Sequence, residues 1–215
     1  MFKTPSYLYL VLTLLLCSSV AQGQTSVSNF VVEFEITGDD PTVNQADSDF
    51  LSYAYKGNKM SMVLVNKMVD LKMVYDLDAK KGLLLNSMQS GSVKIASKLS
   101  EESLAHDNSS MKITLTEGSK KIKGYTCSKA QVSLKDKTIE VWYTPKLKSH
   151  DFEFEGYFFS KLDGFPLLMI ETSKDGVLIS KATKITLAVE DNLFDQTIPE
   201  GYRIVSFEQL NGGKK

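Results

Sequence analysis

Most protein catalysis runs through histidine, cysteine or paired carboxylates, and this chain is poor in the first two. Its 215 residues include two histidines, His106 and His150, and two cysteines, Cys17 and Cys127. Both histidines stand in polar stretches without partners at telling spacing, so neither a triad nor a histidine metal site is spelled out. Walker, dinucleotide-glycine, His-Glu-x-x-His and Gly-x-Ser-x-Gly patterns are missing from the sequence. Asp76-x-Asp78 opens like a calcium loop, but Lys80 and Lys81 hold the places of further oxygen ligands. A hairpin turn explains these residues better. Asp39, Asp40, Asp47 and Asp49 make an acidic loop, whose commoner state is solvated rather than metal-loaded. Cys127 lacks an evident base or positive field and reads as a small apolar filler. The expectation is a protein that is not an enzyme, with no metal and no cofactor.

Methionine carries a more positive signal. Met60, Met62, Met73 and Met169 fall in strand-like runs, and thioether side chains adapt to irregular apolar shapes. Together with Phe154 and Phe158 they are the residues expected to line a site for a hydrophobic molecule, a lipid or acyl chain. The competing expectation is an ordinary filled core in which methionine plugs gaps. In that case the chain is an envelope structural or protein-interaction module, with an aromatic patch around Trp142 and Tyr143.

The N-terminus bears on where such chemistry takes place. Met1-Phe2-Lys3 supplies positive charge, and an apolar run from Tyr7 to Leu16 follows, shorter than the roughly 20 residues that span a bilayer. Ala21 and Gly23 then sit two apart, as signal peptidase requires, so residues 1–23 are expected to be a cleaved signal peptide. Cleavage before Gln22 is the close alternative. Cys17 follows bulky Leu16, which disfavours a lipoprotein anchor. The expected product is exported and periplasmic, with no transmembrane anchor after cleavage. Asn108-Ser109-Ser110 is a glycosylation sequon, relevant only to a eukaryotic secretory route.

Residues 24–215 are expected to form a single domain, with 210–215 a disordered tail. Loss of Lys3 leaves 24 basic against 26 acidic residues, a formal charge of −2 with no electrostatic footprint for nucleic acid. Only Cys127 then remains, so no internal disulfide forms.

Periodicity supplies the elements. Val32, Phe34 and Ile36 alternate with Glu33 and Glu35, the period of a half-buried strand. Runs 51–56 and 59–65 flank Gly57-Asn58, a tight-hairpin signal, and 68–76 and 82–88 form a second pair. The clearest hairpin joins 125–134 to 138–144, with Ala130 and Val132 facing Ile139 and Val141. Residues 100–106 suggest one helical turn. Residues 151–162 suggest a short helix or an irregular aromatic plug. About ten strands joined by hairpin-like links predict a mainly β fold: one large, curved, predominantly antiparallel sheet with one or two short helices.

From Lys120 onward the residues carry a resemblance. Gly124, Tyr125, Cys127, Lys129 and Ala130 form a Gly-Tyr-x-Cys-x-Lys-Ala pattern, and a strand ends in Trp142-Tyr143-Thr144. Gly164, Pro166 and Leu167 follow, and Phe194, Pro199, Gly201 and Tyr202 close the series. This resembles the secreted Gram-negative envelope proteins of the domain-of-unknown-function and GLPGLI-type families. That resemblance implies a fold like the LolA, or lipoprotein-carrier, superfamily: an unclosed half-barrel around an apolar cavity. No residue here matches the cavity arginine of LolA. The expectation is therefore a non-enzymatic periplasmic protein binding a lipid or acyl chain in its curved sheet.

Overall fold

The computed structural model describes residues 26–38, 49–88, 93–104, 111–134, 137–149, 159–174 and 176–210. The expected signal peptide, Phe154, Phe158, both histidines, the sequon, the tail beyond residue 210 and all but Asp49 of the acidic loop lie outside these residues. The strands are β1 (Phe30–Gly38), β2 (Asp49–Lys56), β3 (Lys59–Val65), β4 (Val69–Asp76), β5 (Lys81–Met88) and β6 (Lys94–Ser100). After the four-residue helix α1 (Glu101–Leu104) come β7 (Lys112–Ile122), β8 (Tyr125–Leu134), β9 (Lys137–Thr144), β10 (Phe165–Ser173) and β11 (Gly176–Thr186). A two-residue strand β12 (Arg203–Ile204) and helix α2 (Phe207–Leu210) end the described chain.

All twelve strands belong to one sheet, in the order β12-β6-β5-β4-β3-β2-β1-β11-β10-β9-β8-β7. Every neighbouring pair is antiparallel except β12 with β6. The fold is thus mainly β, a large unclosed sheet dominated by antiparallel pairing. Hairpin connectivity fails at two links, β6 to β7 and β11 to β12. β6 and β7 follow each other in sequence but lie at opposite ends of the sheet, and β1 joins the halves by pairing with β11. Local pattern is blind to this crossover, because nothing in residues 101–111 encodes which edge comes next.

Local chemistry explains the tight turns. Gly57, at φ +55°, takes the first central position between Lys56 and Lys59, where a side chain is strained. Lys123 and Gly124 both have positive φ between the paired residues Ile122 and Tyr125. β7 passes a register shift between Thr116 and Ser119. That bulge, with Lys112, Lys120 and Lys121, guards β7 as a sheet edge.

One face of the sheet carries the main core. Phe30, Phe34, Tyr53, Tyr55, Phe159 and Phe165 pack there, with Phe165 centred 5.0 Å from Phe30 and 5.2 Å from Phe159. Phe159 belongs to a 3-10 turn at Phe159–Lys161, and Leu162 after it is buried too. The described end of segment 151–162 therefore does plug the inner face.

The back of the β1–β6 half is covered by the chain's own C-terminal segment. Phe194 packs on Ala54 and Val74, while Ile198 and Tyr202 pack on Leu83, Leu85 and Ala96. Lys56 Nζ donates to Asp191 Oδ1 at 2.9 Å and to the Val189 carbonyl at 3.3 Å, pinning the start of this strap. β12 then pairs with Ile95 and Ala96 on β6. The segment after β11 thus forms a strap, a two-residue strand and a helix.

Candidate functional site

The inner face is the one surface where the candidate residues meet. Its cross-strand rows follow from the register. One row runs Phe30, Tyr55, Met60, Tyr75, Gly82, Leu99, and every member is buried. The next runs Val32, Tyr53, Met62, Met73, Leu84, Ser97, with Met62 and Leu84 only half-buried. The third runs Phe34, Leu51, Leu64, Leu71, Asn86, Ile95, and from Leu64 onward every member is half-buried. Burial therefore falls along the strands, from a closed aromatic end to a half-open apolar one.

Met60 (0% exposed), at the closed end, and Met73 (1%), in the middle row, are core residues. Met62 pairs with Met73 and looks toward the half-open part, packed against the core. Met169 is half-buried on β10, beside Val141 and Ser180, with β2, β1 and β11 between it and Met62. The methionines thus share a face but not one spot. Leu64, Leu71 and Ser97 escaped attention because leucine and serine carry no type signal. The alternation of Ile95, Ser97 and Leu99 in β6 was the available clue.

Charge is scarce on this face. Its described side chains on β3–β6 include none that is charged, whereas Lys72, Lys94 and Lys98 alternate to the back. On the other half, Glu171 is paired with Lys137 Nζ at 3.0 Å. Burial raises the pKa values of Tyr53 and Tyr55, with the neighbouring Tyr53 adding to the effect on Tyr55, so both phenols stay neutral.

The motif residues serve other purposes. Trp142 lies half-buried on the outer face, with Lys120 Nζ 4.0 Å and Lys129 Nζ 5.6 Å from its ring centroid. Its indole N–H donates to Glu140 Oε1 at 2.7 Å, and Lys129 meets the other carboxylate oxygen at 2.7 Å. Those hydrogen bonds, from Lys129 first and then Trp142, hold the Glu140 carboxyl below its ordinary pKa. Desolvation lowers the Lys120 ammonium. This is a partly solvated cation-aromatic cluster, with its ring face already occupied by lysine. Tyr143, by contrast, is buried on the inner side, so the expected Trp142–Tyr143 patch is split between faces.

Cys127 is fully buried, its thiol donating to the Tyr125 carbonyl at 3.6 Å. Burial pushes its pKa up to about 11, so at neutral pH the nucleophilic thiolate is scarce. Tyr125 is half-buried in the core margin. Gly164, at φ +149°, lies so close to the Thr144 carbonyl that a Cβ would sit 2.2 Å from its oxygen. Pro166, two residues on, is buried beside a register shift between β9 and β10. Pro199, Gly201 and Tyr202 belong to the strap, where Lys94 Nζ stands 6.0 Å from the Tyr202 ring centroid.

An open groove of about 380 Å³ lies between β6, α1 and α2, lined by Lys98, Ser100, Ser103, Ser206 and Gln209 among others. Its hydroxyls are engaged in turns: Ser103 with the Ser100 backbone, Ser206 with the Gln209 N–H. Among the described residues no group of three or more His, Cys, Asp or Glu is placed to hold a metal ion. No helix there is long and apolar enough to cross a membrane.

Comparison with known proteins places the sheet. Residues 39–151 match the model of the family described as N-glycanase peptide, N-terminal domain. The chain belongs to this family. The matched stretch contains β2 to β9, including Cys127 and Trp142, and ends before Gly164 and the strap. The family that matches is not the GLPGLI-type group suggested by the motif residues. A structure of PNGF-II in space group P21 shares the fold at TM-score 0.53 and 14% identity, covering 86% of this chain and 33% of that one. Its C2 form gives 0.49 and 16%, covering 83% and 30%. The chain therefore spans about a third of the length of these relatives. A crystal structure from Vibrio parahaemolyticus, provisionally described as an outer membrane lipoprotein-sorting protein domain, gives 0.27 and 11%, covering 81% and 92%. That score is too low to carry an argument. No curated protein matches the chain.

Proposed function

We propose that this chain is an exported, periplasmic, non-catalytic module that holds a hydrophobic molecule, a lipid or acyl chain, on the inner face of its sheet. The observation that supports this is the grading of that face. The closed end is filled by aromatic rings, while Met62, Leu64, Leu71 and Leu84 continue the same apolar surface half-exposed. An apolar surface continuous with a core gains from being covered, by roughly 25 cal/mol for each Å² removed from water. A non-catalytic role agrees with a family defined by the N-terminal domain of an N-glycanase, and with the buried, protonated Cys127.

The test is native mass spectrometry of protein purified from its own host, followed by titration with a neutral fluorescent acyl probe. Bound or captured lipid is expected, and Leu64→Glu with Leu71→Glu should weaken probe binding at least about tenfold, since each buries charge in an apolar contact. A lipid-free mass spectrum combined with no probe uptake refutes the reading. The second reading is an envelope interaction module with a filled core, favoured by the ring cluster around Phe165. Crosslinking in intact cells that traps a protein partner, with no lipid found, would select it.

A further inference from the structure

Of the seven most exposed large hydrophobics among the described residues, four gather at one end of β2–β5. They are Met68 (72%), Met88 (53%), Phe50 (38%) and Val65 (36%). Phe50 pairs with Val65, Val65 with Asp70, and Met88 with Val69, while Met68 directly precedes Val69 in the β3–β4 turn. All four therefore stand at the strand ends furthest from the aromatic core. Four neighbouring strands measure about 14 Å across, so this is a narrow rim and not a broad patch.

The rim continues the inner face. Beyond the row of Leu64, Leu71 and Asn86, the next inner row holds Val69 and Met88. Phe50 and Val65 lie on the outer face, so the rim is apolar on both sides of the sheet. Its backbone is bonded internally where it would leave water. The Asn66 side-chain carbonyl accepts the N–H groups of Met68 and Val69, both at 2.8 Å, and the Asn66 N–H donates to the Val69 carbonyl at 3.0 Å. The Met88 N–H donates to the Val93 carbonyl at 3.0 Å. Such groups enter lipid without losing a hydrogen bond. A wedge that is apolar on both faces also suits a fluid acyl layer better than a rigid protein surface, which would need a matching cleft.

We propose that this rim docks the protein on the surface of a zwitterionic membrane, with Met68 and Met88 entering the acyl layer. Charge selects the lipid class. The rim carries Lys67 and Lys94 against Asp49 and Asp70, and the stretch of sequence entering β2 adds Asp39, Asp40 and Asp47. That balance gives an anionic surface no net attraction. Insertion is shallow, since Lys67 and Asp70 are exposed beside Met68 and stay at headgroup level. The inference goes beyond the acyl-binding reading and is measured apart from it: it names the surface from which the half-open face would collect or deliver its molecule.

The experiment floats the purified protein with phosphatidylcholine vesicles, with and without phosphatidylglycerol, and compares wild type with a Met68→Ser, Met88→Ser double variant. Wild type should float with phosphatidylcholine alone, and phosphatidylglycerol should strengthen binding less than about twofold. The double variant should bind vesicles at least about tenfold more weakly. Both side chains stand largely in solvent in the free protein, so the variant should melt like wild type. Its uptake of the monomeric acyl probe should persist, because Leu64 and Leu71 are untouched. Binding that needs phosphatidylglycerol, or a double variant that floats like wild type, overturns the inference and leaves acyl binding intact. Failure of wild type to float also overturns it, and a dimer that sediments as monomer in the double variant would then give the rim to a second copy. Flotation without any probe uptake supports the rim while refuting the acyl-binding reading.

Discussion

Replacing Phe165 with alanine tests whether the aromatic cluster is the structural centre of this sheet. The ring is fully buried and meets five others, with centroids at 5.0 Å (Phe30), 5.2 Å (Phe159), 5.7 Å (Tyr55), 5.9 Å (Tyr53) and 6.4 Å (Phe34). Most of these pairs are edge-on or tilted, the arrangement in which ring quadrupoles attract. Phe→Ala at a buried site costs about 3 to 5 kcal/mol, the lost transfer energy plus the cavity left behind. The upper part of that range applies here, because the neighbours are rings held by two strands, β1 and β2, and a 3-10 turn and collapse poorly into the gap. For a chain of this size about 4 kcal/mol lowers Tm by roughly 8 to 16 °C. With a urea slope near 2 kcal/mol/M, the midpoint falls by about 2 M. Urea and thermal denaturation followed by circular dichroism measure both, with Phe165→Leu as a milder control. A loss under about 1 kcal/mol for the alanine variant, with unchanged slope, would refute the placement of the core at Phe165.

The strap makes a separate prediction. Phe194→Ala removes a ring buried on Ala54 and Val74, for a loss of about 1.5 to 3 kcal/mol. Hydrogen exchange should rise between Val189 and Tyr202 while the amides of β8 and β9 stay protected; uniform loss of protection would show that the strap is inseparable from the core. The Glu140 carboxyl gives a pH dependence. Its folded pKa lies below the ordinary value of 4.5, so its stabilisation is full above that value and is lost as pH falls through the folded pKa. Because the pair is partly solvated, the amount is under about 1 kcal/mol. Glu140→Gln should flatten the acid limb of the stability profile below pH 4.5, and an unchanged limb would contradict the geometry around Trp142.

Much of the fold was legible because strand alternation is a local property. Phe30 to Ile36 shows its buried face in the spacing of apolar residues alone, and Gly57 announces its turn because few other residues tolerate that φ. The hairpin of β8 and β9 was readable for the same reason, including the face shared by Ala130, Val132, Ile139 and Val141, while their register, Ala130 opposite Val141 and Val132 opposite Ile139, came from the structure. The buried part of the candidate site was half-legible: methionine type pointed to the inner face, yet Met60 and Met73 proved to be filling and Met169 lies across the sheet from them.

Residue order by itself therefore determined the mainly β class, most strand positions and the faces they bury, since those depend on period and turn chemistry. Tertiary structure alone decided the strand order. The crossover from β6 to β7 and the union of β1 with β11 depend on contacts far apart in sequence, to which alternation is indifferent. It also decided the fate of residues 187–210, whose short apolar spacings become a strap only because Ala54, Val74, Leu83 and Leu85 leave an apolar back to cover. Ser97 shows the same division. Its face was written in the alternation of β6, but its complete burial is decided only by tertiary packing.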